Sequence, residues 1–211
     1  MSHAETRSAP RRAPAQARSQ ETVQRVLAGT ATLLARGVPL EVLTTAQIAV
    51  EAGLSVGALY RFFPDKQAIV DAIALRHMAL FQEQLTARIL LAFPGSPEAF
   101  LGTIIDAFAG YLEAHADFRT VAFGAPGGGR FVSRPTRDAF AASGEMAELV
   151  KSFLAEVFDI ELTAAFDLRL RIATEIGDRL LAYAFEQATP ETRRNVLEEA
   201  KRVLTLTVFQ T

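Results

Sequence analysis

Between Ala52 and Pro64 the chain reads AGLSVGALYRFFP, which leaves room for one tight turn and one helix of about two turns. Gly53 supplies the left-handed stop that a preceding helix needs, and Ser55 is an N-cap for the next one. Upstream, Thr44 and Gln47 stand at capping-box spacing, so a short helix opens at Thr44. Two short helices joined at Ala52-Gly53-Leu54 make a helix-turn-helix unit. Leu59, Tyr60, Phe62 and Phe63 then crowd a segment too short to hold a core of its own. Neighbouring helices must supply that core.

The rest of the chain offers them. Ser19 is a candidate N-cap, Val23, Val26, Leu27, Thr30 and Leu34 recur at helical spacing, and Gly37 with Pro39 ends the run. A long helix runs from Pro64, favoured in a first turn, to about Phe93. Ser96 caps a helix with Phe100, Leu101, Ile104, Ile105, Phe108 and Leu112 on one face. A short piece spans Asp117 to Phe123, and helices are expected over 135–158 (with a break near Gly144), 163–187 and 190–209. No stretch alternates as a strand does. The fold class is all-α, with about nine helices.

Composition removes several functions. Of 211 residues half are hydrophobic, enough for a sizeable core, yet none of the apolar runs approaches the roughly 18 residues of a membrane span. The first residues hold no apolar stretch, so no secretory signal is read, and a cytoplasmic location is expected. There is no cysteine, and the three histidines, His3, His77 and His115, share no metal-ligand spacing. GAPGGGR at 124–130 lacks the G-K-[ST] ending of a phosphate loop and reads as a loop; Arg130 and Arg134 flank it and would meet an acidic ligand or simply be solvated. No nucleophile arrangement occurs, so neither catalysis nor a cofactor is expected. Residues 1–76 carry nine Lys/Arg against six Asp/Glu, and the remainder thirteen against eighteen. A basic front on an acidic body suits an anionic partner for the front.

The short third helix begins with Ser55, Val56, Gly57 and Ala58, small side chains where a recognition helix meets base edges. Lys66 places a cation in the first turn of the following helix, where a phosphate would reconcile it with the dipole. The stretch from Thr44 to Lys66, TTAQIAVEAGLSVGALYRFFPDK, resembles the DNA-binding domain of the TetR family of transcriptional regulators. The resemblance rests on Thr44-Thr45, Ile48-Ala49, Ala52-Gly53, Ser55, Gly57, Leu59-Tyr60, Phe63 and Lys66, and extends from about Ser19 to Ala79. It implies that Thr44, Thr45, Tyr60 and Lys66 approach the DNA backbone, while Ser55, Val56, Gly57 and Ala58 face the major groove. Ile48, Ala49, Leu59 and Phe63 become core. Phe62 departs from the family pattern, which often has a phosphate-bonding His or Tyr there. With few polar groups in the reading helix, thymine methyls and DNA shape are expected to carry specificity. The implied organisation is a disordered basic arm (1–18), a helix-turn-helix domain (19–79) and a ligand-binding and dimerisation domain (80–211). The arm either enters a minor groove or stays free.

In the third region, Phe81, Phe100, Phe108, Tyr111, Phe123 and Phe153, with Thr103 and Asp106 off the apolar stripe, either line an effector cavity or form plain core and surface. Ala173, Gly177, Leu180, Leu181 and Ala184, and Val196, Ala200, Val203 and Leu204, place small or aliphatic residues at helical spacing on the last two helices. Such stripes serve a four-helix dimer interface or packing within the chain. The function implied is a ligand-responsive regulator, a dimeric repressor on a palindromic double-stranded DNA operator, released by a small-molecule effector. A helical carrier or enzyme with an incidental helix-turn-helix is the competing class.

Overall fold

The computed structural model describes residues 13–124 and 144–209, and among them every regular element is a helix. Nine helices follow in order: α1 Ala13–Ala35, α2 Thr45–Glu51, α3 Val56–Tyr60, α4 Lys66–Ala92, α5 Pro97–Ala114, α6 Ala116–Phe123, α7 Gly144–Phe158, α8 Ala164–Phe185 and α9 Pro190–Phe209.

Most boundaries follow local chemistry. The Thr44–Gln47 capping box is formed, with the Gln47 side chain accepting from the Thr44 N–H at 2.9 Å. Ser55, Ser96 and Thr163 each accept an N–H three residues on, at 3.1 Å. Gly37 and Gly53 take φ of 84° and 65°, the left-handed region where a side chain is strained. Two starts differ from expectation. α1 begins at Ala13, six residues ahead of the anticipated Ser19 cap; Ala, Gln and Arg favour helix, and Pro14 falls in the first turn, where its missing N–H costs nothing. Ala13–Arg18 are therefore helical, and the rest of the anticipated arm lies outside the described residues. α4 begins at Lys66, capped by the Asp65 carboxylate, so Pro64 stands before the helix instead of inside it. Of the GAPGGGR segment only Gly124 is described, and Arg130, Arg134 and residues 135–143 likewise lie outside.

Two hydrophobic cores form. The first gathers Val26 and Leu34 of α1, Leu43, Ile48 of α2, Leu59 of α3, and Ile69, Val70 and Ile73 of α4. The second gathers Phe81 and Leu85 of α4, Phe100 and Leu112 of α5, Phe118 of α6, Leu154 of α7, Phe166 of α8 and Leu204 of α9. Each fully buried side chain of this size contributes about 1.5–3 kcal/mol. α4 runs through both cores. So does α6, which gives Phe118 to the second core and Val121 to the first.

The second core bears on two readings that the sequence left open. The residues expected to line a cavity are packed on one another: Phe100 stacks on Phe153 with centroids 4.4 Å apart, and Phe81 meets Phe108 at 4.9 Å and Tyr111 at 5.5 Å. Phe123 is half-buried against the same core, Thr103 bonds the Ala99 carbonyl, and Asp106 pairs with Lys201 at 2.7 Å on the surface. Two clefts, each about 340 Å³, lie elsewhere, beside the connection from α7 to α8. The small-residue stripes are consumed within the chain. Ala173, Gly177, Leu181, Ala184, Ala200 and Leu204 are all buried where α8 packs on α9, and a Leu204 methyl lies 3.4 Å from the place a Gly177 Cβ would take. Leu180, Val196 and Val203 are half-buried along the same seam. The buried members of the two stripes are accounted for by packing within the chain, one of the two readings the spacing allowed.

Candidate nucleic-acid interface

α1 is the platform on which α2 and α3 are mounted. A Cβ on Gly29 would stand 3.1 Å from the Ala52 nitrogen and 3.3 Å from the Glu51 carbonyl carbon, so glycine is what lets α1 approach the end of α2. Arg25 reaches across the same junction. Its Nη2 donates to the carbonyls of Ala52 at 2.6 Å and Gly53 at 2.8 Å, satisfying acceptors that the end of α2 leaves open. Arg36 pairs with Glu51 at 3.1 Å. From behind, Ile48, Ala49, Leu59 and Phe63 are buried, as expected. These contacts fix which face of α3 turns outward.

On that face Ser55, Val56, Gly57 and Tyr60 are exposed and Ala58 is half-buried. Nothing lies within 4 Å of a Cβ built on Gly57. The Thr45 hydroxyl meets the Tyr60 hydroxyl at 3.1 Å, joining the first turn of α2 to the last of α3. Thr44 is exposed beside them as the α2 cap. Two anticipated residues turn inward. Lys66 Nζ donates to the carbonyls of Leu40, 2.8 Å, and Glu41, 3.4 Å, in the turn before α2. Asp65 already answers the α4 dipole, so no phosphate is needed to reconcile Lys66 with it. Phe62 is half-buried against the first core. An apolar residue there is explained by packing.

Behind this unit lies a polar cluster that sequence reading missed. His77 of α4 is buried, with Nδ1 2.8 Å from the Tyr111 hydroxyl of α5 and Nε2 3.0 Å from Asp117 Oδ2 of α6. Its ring stacks on Phe118 at 4.8 Å and meets His115 edge-on at 5.1 Å. Burial and the Asp117 charge push the Tyr111 hydroxyl up to about 12, so it stays protonated. Burial acts to raise Asp117, but the hydrogen bond and charge of His77 outweigh it and hold the carboxyl below its ordinary 3.8. Asp117 thus faces Nε2 and the Tyr111 hydroxyl faces Nδ1, so each ring nitrogen of His77 has a hydrogen-bond partner. The signal was available: His77 falls on the apolar stripe with Ile73, Ala74 and Phe81. Among the described residues no group of acidic and histidine side chains could hold a metal ion.

Two short helices locked on a third, the second with a bare outward face of small residues, are a helix-turn-helix module of the DNA-binding kind. Residues 27–73 match the model of the bacterial regulatory proteins of the tetR family, so this stretch is similar to the DNA-binding domain of those regulators. The remainder is alike in fold. A TetR-family transcriptional regulator from Streptomyces coelicolor superposes with a TM-score of 0.62 at 24% identity, covering 88% of this chain and 96% of that one. The fatty acid degradation regulator FadR from Bacillus halodurans gives 0.65 at 11% identity, covering 87% and 94%. RolR in complex with resorcinol gives 0.64 at 14% identity, covering 93% and 97%. No curated protein matches the chain in sequence. The matched family and the first two of these neighbours are described as regulators. Among the described residues no helix is long and apolar enough to cross a membrane.

Proposed function

We propose that the chain is a ligand-responsive repressor that binds a palindromic DNA operator as a homodimer and is released by a small-molecule effector. The observation that carries the DNA reading is the outward face of α3 beside the Thr45–Tyr60 hydroxyl pair, on a domain similar to that of the TetR family. Thr44, Thr45 and Tyr60 hold backbone phosphates, and Ser55, Val56, Gly57 and Ala58 enter the major groove. Lys66 lends its charge while its ammonium stays on the Leu40 and Glu41 carbonyls, which fixes the approach to α2. Phe62 supports α3 from within.

Support for the effector is of two kinds. One structural neighbour is a complex with resorcinol, and its fold is shared over most of this chain. The aromatic second core is joined to the DNA-binding unit through α4 and α6, the two helices that enter both cores. A ligand that favours a different packing of those helices changes the spacing of two α3 helices, provided it binds the two states unequally.

A mobility-shift assay with a duplex from upstream of the chain's own gene tests the reading at moderate salt. Wild type shifts the duplex in preference to unrelated DNA, and Tyr60→Ala weakens binding by about tenfold or more. Absence of a preferred duplex, or equal affinity of Tyr60→Ala, overturns it.

A further inference from the structure

The first turn of α3 presents the Ser55 hydroxyl at its cap and otherwise hydrocarbon. Ser55 Oγ accepts from the Ala58 N–H at 3.1 Å and keeps its O–H able to donate, while Gly57 and Ala58 carry no polar atoms beyond the backbone. Thr45 and Tyr60 are joined to each other, and the Gln47 carbonyl oxygen is held by Thr44. Gln47 and Arg61 keep free donors, but one belongs to α2 and the other follows the end of α3. In the middle stands Val56, a residue 39% exposed, next to the open space over Gly57.

An exposed β-branched side chain at the head of a groove-reading helix has one matching feature in duplex DNA. Base edges in the major groove offer donors, acceptors and a single hydrocarbon group, the C5 methyl of thymine. Contact with an amide or carbonyl edge would strip water from it without return, whereas contact with the methyl buries apolar surface on both sides. We propose that Val56 is a specificity-determining residue that reads a thymine C5 methyl in each operator half-site. This rests on the DNA-binding reading above. Val50 is more exposed, at 78%, yet it adjoins Glu51 near the end of α2, where an acidic neighbour opposes close approach to phosphate. It serves as the control.

The test uses the full chain and duplexes enriched from a random pool. Each thymine of the enriched half-site is replaced in turn by deoxyuridine, which lacks only the methyl, and affinity is measured by fluorescence anisotropy at fixed salt. One position lowers wild-type affinity by about three- to tenfold per half-site. Val56→Ala binds the thymine duplex more weakly by a similar factor and is indifferent to that replacement, while Val50→Ala behaves as wild type. Thermal melting of each variant verifies folding. If no thymine is sensitive in wild type, or Val56→Ala keeps the full sensitivity, the assignment to Val56 is wrong. If the pool yields no enriched sequence, the regulator reading itself fails and the proposal falls with it.

Discussion

At the scale of single residues the most consequential group is His77, because it holds α4, α5 and α6 together through two hydrogen bonds. Asp117 is the member whose energetics have a definite sign. Its folded pKa lies below the ordinary 3.8, so its contribution is complete above that pH and is lost as pH falls through the folded value. Asp117→Asn keeps the shape and an acceptor but removes the charge, so it costs about 1 kcal/mol at neutral pH. The gap between wild type and variant, followed by urea unfolding from pH 7 down to pH 3, closes on acidification. A gap that stayed constant or widened would contradict the pairing. His115 acts in the same direction earlier in the titration: burial and the His77 charge hold it below 6.5, so its stabilisation fades as pH drops through that lowered value. The presence of His77 on an apolar stripe was legible in the sequence; its partners, 34 and 40 residues away, were not. Lys66 shows the opposite limit. A cation at a helix start invites a phosphate reading, and only the fold brings the Leu40 and Glu41 carbonyls to it.

At the scale of elements, what was legible was what is local. The Thr44–Gln47 box, the Ser55 and Ser96 caps and the left-handed Gly53 each depend on neighbours within four residues. The start of α1 was missed because propensity without a capping side chain leaves no mark at Ala13. The stripe on α8 was legible as a stripe, but spacing alone does not say whether its partner is α9 of the same chain or a helix of another. The α1–α2 contact was equally silent, since Gly29 is a mid-helix glycine until the Ala52 backbone arrives beside it. A larger residue there tests how α2 is seated. Gly29→Val sets branched methyls against backbone atoms that cannot yield, and overpacking of this kind costs about 1–3 kcal/mol. The expected result is a lower melting temperature together with weakened operator binding. A variant as stable as wild type, with unchanged DNA affinity, would show that the close approach is not required.

At the scale of the whole molecule, one helix-turn-helix contacts few base pairs, and a second copy related by a two-fold axis would read the matching half-site about 34–36 Å away. The copy must dock on a surface that the chain has not used. The buried faces of α8 and α9 are used, and the outer face of α9 carries Glu198 and Glu199 in ion pairs with Lys201 and Arg202. The outer face of α8 differs: Leu168, Ile172 and Tyr183 are 51%, 44% and 46% exposed, with half-buried Ile176 between them at helical spacing. Arg179 lies on the same stripe, 5.7 Å from the Tyr183 ring and paired with Glu186. Such a stripe meets its own copy across a two-fold axis without leaving a charge unpaired. We therefore propose the outer face of α8 as part of the dimer seam. A Leu168→Glu, Ile172→Glu double variant places like charges across that axis while disturbing no buried contact. It should sediment as a monomer where wild type sediments as a dimer, melt as an intact fold, and bind the palindrome at least about tenfold more weakly, with half-site binding spared. A double variant that remained dimeric would rule out this face as the seam, and a monomeric wild type that bound the full palindrome tightly would remove the need for one.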